Sequence, residues 1–504
     1  MRPPPLGGRH LLLAAAGGLL LLLAGCAWIP SEGERAQFTK TVPMEETRAG
    51  AREQLNFSQR WPREGWWREF RSPELNRLMD LALKDNPGLK VASARLRLAQ
   101  ALVRVEGARL LPFLDAEAEL TVERISSHGV FAALNPEVAG IRIMSGMISP
   151  LSFRYEFDFW GKNRAALEAA LGEAAAEEAE RAETRLLLTT AVARAYFRMV
   201  ALRQQLDLTR DMVQLRRTLS ELAETRFKLG LDSADAVKQA LVEQESANKR
   251  EAGVRDQLEL QKNLLARLIG SGPDVTSHLT THPVPIPARV PWPTHLPLEL
   301  LAHRPDLTAA LYHTEAAAQR IKEAKAVFFP SVDLTAFVGT NALVLTKGAN
   351  HLANLLFSGS SITYGVAPGV RIPWFEGGRL RGELSAQRAE YDRAVELYND
   401  TLLHAVQEVA DSLSAWRETS AIREAHQHLL AAQREKLAFV QVRLHSGLDD
   451  RRPVLEQQHA VLEQEYAARV LEADQLVAAV DLVEALGGGY HNQIRMEPLE
   501  QEAQ

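Results

Sequence analysis

The sequence predicts an α+β membrane protein in which amphipathic β-strands alternate with very long coiled-coil helices, and in which the whole set is written twice. Three observations carry this. The first is internal similarity: Asn86 to Leu120 resembles Arg304 to Val338, with Pro87 answering Pro305 and Pro112 answering Pro330, and RFKLGLDSADAV (Arg226 to Val237) answers RLHSGLDDRRPV (Arg443 to Val454). A repeat of about 217 residues is far too long for a solenoid unit and points to a duplicated half. The second is helical: Glu173 to Leu229 and Glu383 to Ser446 contain neither Gly nor Pro and are rich in the strongest helix formers. The third is a set of segments with period-two alternation, apolar on one face and charged or small on the other.

The N-terminus comes first. Arg2, Arg9 and His10 precede an apolar run from Leu11 to Leu23, too short to span a bilayer and shaped like a secretory signal. It ends in Leu23-Ala24-Gly25-Cys26, which resembles a bacterial lipobox, and Cys26 is the single cysteine among 504 residues. A lone cysteine makes neither an intramolecular disulfide nor a cysteine metal cluster. The resemblance implies acylation of Cys26 by diacylglycerol and palmitate, and Ala27 after it favours outer-membrane sorting. Beyond the signal, no apolar run reaches the ~18 residues of a membrane helix, so any crossing is made by strands. The formal charge of −6 offers no basic footprint for nucleic acid.

The strands follow. In about 113–125, Leu114, Ala116, Ala118 and Leu120 oppose Asp115, Glu117 and Glu119; in about 150–159, Phe153, Tyr155, Phe157 and Phe159 oppose Arg154, Glu156 and Asp158. In the second half, about 331–342 sets Val332 and Leu334 against Asp333, and about 361–372 sets Tyr364 and Val370 against Arg371. One apolar and one polar face is the pattern of membrane barrel strands, which places Asp115, Glu117, Glu119, Arg154, Glu156, Asp158, Asp333 and Arg371 in the lumen. Each strand alone also fits a half-buried soluble sheet; four at matched positions behind a lipobox do not. Four strands are too few to close a barrel, since the smallest have about eight, and an open edge in lipid is costly. The barrel is therefore shared between chains, with two or three copies open on arithmetic alone.

The helices are expected over about 162–228, 233–269, 379–446 and 451–486. Sixty-seven residues at 1.5 Å each would run roughly 100 Å. Leu208, Met212, Leu215, Leu219 and Leu222 form a coiled-coil seam, as do Leu430, Leu437, Val440 and Leu444. Between the halves, GSGPDVTSHLTTHPVPIPARVPWPTHLPLELL (Gly270 to Leu301) carries too many prolines for a helix and suits an extended connection, with Trp292 and Leu296 to Leu301 as apolar anchors.

Several stretches resemble a known family: WWREFRSPELNRLMDLALKDNPGL (Trp66 to Leu89), FDFWGKNR (Phe157 to Arg164), HRPDL (His303 to Leu307), FFPSVDLTAFVG (Phe328 to Gly339) and WFEGGRLRGEL (Trp374 to Leu384). In order and spacing they are similar to the outer membrane factors of the TolC type, in the OprM/NodT lipoprotein branch, over essentially the whole mature chain. The resemblance implies a homotrimer with a twelve-stranded barrel, four strands per chain, continuous with a helical barrel and belted by a mixed equatorial domain. On that reading the chain divides into a signal peptide (1–25), an acylated segment and equatorial region (26–85), a first repeat (86–270), an equatorial linker (271–303), a second repeat (304–487) and a tail (488–504).

No HExxH, GxSxG or Walker motif is present, so no catalytic residue, metal site or cofactor other than the Cys26 lipid is expected. The function expected is a passive outer-membrane duct of a tripartite efflux system, working with a periplasmic adaptor and an inner-membrane pump of RND type. A duct for protein, peptide or metal export shares the architecture, and a structural coiled-coil spacer is the alternative of another class. The repeated turns Gly230-Leu231-Asp232, with Asp235, and Gly447-Leu448-Asp449-Asp450-Arg451-Arg452 are the candidate periplasmic tips, gate and adaptor-docking site. Arg451 and Arg452 are expected to pair with the adjacent aspartates, whereas no arginine pair sits beside Asp232 and Asp235.

Overall fold

The structure is a computed structural model that describes residues 29–31, 33–39, 57–58, 60–277, 279, 282–287, 289–291, 296–346 and 352–492. The signal peptide, Cys26, Trp292 and the tail after 492 lie outside the described residues. In chain order the elements are β1 (Phe57–Ser58), α1 (Pro73–Asp85), α2 (Pro87–Ala108), β2 (Phe113–Arg124), α3 (Val130–Leu134), β3 (Arg142–Phe157), α4 (Lys162–Lys228), α5 (Ala234–Leu268), β4 (Val290–Pro291), α6 (Leu296–His303), α7 (Pro305–Ala326), β5 (Ser331–Thr346), α8 (Leu352–Leu356), β6 (Ile362–Arg371), α9 (Arg379–His445) and α10 (Arg451–Ala485). The order α2-β2-β3-α4-α5 recurs as α7-β5-β6-α9-α10. The matched helices have equal lengths, 22, 67 and 35 residues. Among the described residues no helix is long and apolar enough to cross a membrane.

The chain forms two compact units. One comprises residues 1–37, 98–174 and 312–396, the other 38–97, 175–311 and 397–504. Each therefore draws on both sequence repeats.

The first unit contains the sheet, antiparallel throughout, in the order β2-β3-β5-β6. Among the described residues its two outer strands, β2 and β6, have no strand partner on their far sides. The second strand begins at Arg142, well before the expected residue 150, and ends at Phe157. The reason is a bulge: pairing with both neighbours slips by one residue between Ile148 and Ser152, around Pro150. The bulge inverts the alternation, so Ser145, Met147 and Ser149 share a face with Ser152 and Arg154, and the first half of the strand is out of phase with the second. Gly339 sits opposite; a Cβ there would lie 2.4 Å from the Ile148 carbonyl oxygen.

In the same unit α4 and α7 approach closely at Gly172, where an added Cβ would meet that of Ala316 at 3.1 Å. Beside this contact Glu173 accepts from Arg320 at 2.9 Å and contacts His313 Nδ1 at 3.0 Å. The His313 hydrogen bond, above all, holds the Glu173 carboxyl below its ordinary pKa. The start of the described chain runs along α9: Arg388 donates to the Pro30 and Ser31 carbonyls, and Arg35 reaches Asp392 at 3.3 Å.

The second unit holds the main core. Helix α1 starts on Ser72, whose Oγ accepts from Leu75 N, with Pro73 following where a helix lacks a use for an N–H. Its buried face, Leu75, Leu78, Met79 and Ala82, has helical spacing and packs with Tyr196, Phe197 and Leu265. Leu300 is also fully buried there, on α6, so the linker expected to be extended turns helical from Leu296 onward.

Candidate functional site

The two hairpin turns are built alike from the residues upward. At the end of α4, Gly230 takes φ 70° and its N–H donates to the Phe227 carbonyl, while Leu231 N–H donates to Arg226. At the end of α9, Gly447 takes φ 70° and the same two bonds run from Gly447 to Leu444 and from Leu448 to Arg443. This is the Schellman closure, which needs a left-handed residue and hence glycine. Ser233 caps α5 by accepting from Ala236 N, and Asp450 caps α10 by accepting from Arg452 N. Leu231 and Leu448 are left 62% and 72% exposed at the two turns, an unusual place for leucine unless it is covered by another surface.

The ion pairs differ from the sequence expectation. Asp449 does not pair with its neighbours Arg451 or Arg452; it binds Arg443, six residues upstream, through two contacts of 2.8 and 3.0 Å. The first tip, which has no arginine pair beside its aspartates in the sequence, nevertheless has the equivalent bond, Arg226 Nε to Asp232 at 3.3 Å, supplied from six residues upstream. In both repeats the arginine lies in the last helical turn before the glycine, and the turn folds the aspartate back onto it. Arg226 also reaches across to the second tip, donating from Nη1 to Asp450 at 2.7 Å. Arg452 instead pairs with Glu456 one turn along α10, and Arg451 makes no ion pair among the described residues. Asp235 lies in the first turn of α5, where the helix dipole favours a carboxylate.

The sheet brings seven of the eight polar residues assigned to a lumen onto one face. Register places Asp115 beside Ser152, Arg154 beside Thr335, Glu156 beside Asp333, and Ser331 beside Arg371, with Glu117 and Glu119 continuing along β2. Directly opposed residues share a face, and so do residues two apart. Glu156 is bound by Lys162 at 2.5 Å, and Gly369 leaves room for the Asp333 carboxylate. Asp158 is the exception. It lies beyond the end of β3 and caps α4, its two oxygens accepting from Asn163 N and Arg164 N at 3.1 and 2.9 Å. The orphan N–H groups of a 67-residue helix claim it. At the same end of the sheet Trp160 donates to the Pro330 carbonyl and stacks on Phe329, while Phe159, Trp374 and Phe375 are exposed. Aromatic residues massed at one rim of a strand set mark a membrane–water boundary.

A buried charge cluster in the second unit was not visible in the sequence. Arg304, of the HRPDL stretch, bonds Asp306 at 2.6 Å, Glu408 at 2.7 Å and the Ala485 carbonyl at 2.9 Å. Arg194 binds Asp481 and Glu484, each at 2.6 Å. Glu183 takes its place in this field without a guanidinium of its own. Burial first, then the Asp306 charge, pushes its carboxyl up to about 8.

The family model described as outer membrane efflux protein matches the chain over residues 78–271 and again over 296–488. The chain belongs to the outer membrane efflux protein family. It is 31% identical over 477 residues to the multidrug resistance outer membrane protein MdtQ of Escherichia coli O157:H7, covering 93% of this chain and 96% of that one. It is 29% identical to MdtP of Shigella flexneri, covering 85% and 87%. Among solved structures, the outer membrane protein VceC of Vibrio cholerae superposes with a TM-score of 0.73 at 34% identity, covering 86% of this chain and all of that one. The CmeC channel of Campylobacter jejuni, at 20% identity, shares the fold with a TM-score of 0.78. This member of the efflux family is thus an outer-membrane channel protein, from a family of ducts and not of enzymes.

Proposed function

We propose that three copies of the chain close one twelve-stranded barrel in the outer membrane, and that the resulting trimer is the passive duct of a tripartite efflux system. The observation that carries this is the four-stranded sheet with a polar face and two edges, β2 and β6, that are unpaired among the described residues. In lipid, unpaired backbone groups cost several kcal/mol each, so such edges call for neighbouring copies. Each chain has the same order of elements twice, which supports descent from a duplicated half and gives the trimer a pseudo-six-fold helical wall. The helices carry the duct into the periplasm. The exposed Leu231 and Leu448, beside the Arg226–Asp450 pair, are the docking surface for a periplasmic adaptor that links the duct to an inner-membrane pump. Acylation at Cys26 by diacylglycerol and palmitate anchors each chain to the membrane. The multidrug resistance named for MdtQ and MdtP favours small toxic molecules over secreted proteins as cargo. Deleting the gene and challenging the cells with a drug panel, with metal salts and with an assay for secreted protein tests this reading. Drug hypersensitivity restored by the intact gene is expected; unchanged drug sensitivity with impaired protein secretion would contradict it.

A further inference from the structure

Next to the junction of α1 and α2 lies a cavity of about 420 Å³ lined by Lys84, Lys90, Ser93, Arg97, Arg181 and Arg185, with no carboxylate on its wall. The helix geometry concentrates the charge. Lys90, Ser93 and Arg97 fall on one face of α2, and Arg181 and Arg185 are one turn apart on α4. Lys90 meets Asp85 only at 3.8 Å, and Arg185 is bound at 2.7 Å by Glu64, itself 72% exposed. Lys84, Arg97 and Arg181 have no acidic partner among the described residues. Like charges on adjoining turns repel, and a concave wall of one sign focuses the field into the space it encloses. Such a wall is stabilised by an anion. Arg97 and Arg181 supply the forked donors that recognise oxyanions in two-pronged fashion, while the Ser93 hydroxyl is taken up by the Leu89 carbonyl at 2.9 Å; the volume suits a small molecule and not a single ion.

We propose that this cavity is a binding site for a multivalent oxyanion, a compound carrying two or more phosphate or carboxylate groups, on the periplasmic part of the protein. The site shares no residue with the hairpin tips or with the polar face of the sheet. The phosphate and carboxylate sources share one recognition chemistry and are separated by the probes.

The test uses the full-length protein in detergent at low salt, titrated calorimetrically with inorganic pyrophosphate and with citrate. Saturable binding of at least one probe, weakened by added salt, is expected; the tighter probe identifies the source. The double variant Arg97→Gln/Arg181→Gln is expected to weaken that binding about tenfold or more, the loss of one or more charge-assisted contacts. Arg203→Gln, an exposed arginine elsewhere on α4, is the control and is expected to leave the affinity unchanged. Native mass and bilayer conductance, measured on every variant, separate a lost site from a lost fold. No saturable binding of either probe, as when carboxylates of a neighbouring copy fill the cavity, overturns the proposal, and so does equal weakening in the control.

Discussion

Arg226, at the end of the first hairpin, donates to Asp450, which caps the start of the last helix in the other hairpin, at 2.7 Å. It holds Asp232 of its own turn at the same time. One guanidinium therefore ties both tips of a chain together, whereas among the described residues Arg443 pairs only with the Asp449 of its own turn.

This arrangement makes Arg226 the side chain whose loss should matter most at the tips. The pairs are partly exposed, so each is worth only ~0–1 kcal/mol. Repetition around an oligomer can still bias a closed aperture by an amount that an adaptor overcomes on docking. Arg226→Gln should raise the conductance of the purified protein in planar bilayers more than Arg443→Gln does, and Asp450→Ala should resemble the former. High salt should mimic the effect in the unmodified protein beyond what bulk conductivity explains. Unchanged conductance with impaired export would assign these residues to docking alone.

Gly339→Ala tests the bulge in β3. The new Cβ would stand 2.4 Å from the Ile148 carbonyl oxygen and 3.0 Å from Ser149 Cα, both backbone atoms. Neither can move without disturbing the pairing of β3 with β5, so a cost of about 1–3 kcal/mol is expected. The variant should lower the melting temperature of the sheet, and any oligomer that the unmodified protein shows by native mass should be reduced, while circular dichroism still reports the helices.

Glu183 gives a pH signature. Its carboxyl is pushed from an ordinary 4.5 up to about 8 in the folded protein. Between those values the unfolded chain has released this proton and the folded chain retains it, so the contribution to stability is full below about pH 4.5 and is lost as pH rises toward 8. Glu183→Gln should remove that slope. The variant should melt at a higher temperature than the unmodified protein at pH 8 and show little difference at pH 5. A parallel decline in both proteins would show that the carboxyl is already ionised at neutral pH.

Acylation is tested directly at Cys26. Cys26→Ser should abolish palmitate labelling and leave a different mature N-terminus; undiminished labelling would place the lipid elsewhere.

What could be read from the sequence followed from periodicity. The 67-residue helices are uninterrupted runs of strong helix formers, and the strands that keep phase, such as Asp115-Glu117-Glu119 in β2, reveal their polar face at once. Reading failed where phase or distance intervened. The bulge near Pro150 inverted the alternation and hid the strand from Arg142 onward. Asp158 continued the alternating pattern by one step too many, because a helix cap and a strand residue look alike when only spacing is considered. The tip aspartates adjoin Arg451 and Arg452 in the sequence, but the turn at Gly447 folds the chain so that Asp449 meets Arg443. The Arg304 cluster draws on four separated segments, which no local pattern connects.

The central claim is that the sheet conducts only when three chains close it. Native mass measurement of the detergent-solubilised protein, on the same preparation that opens channels in planar bilayers, tests this most directly. Three chains per conducting particle is the expected result; a stable monomer that conducts ions would contradict it.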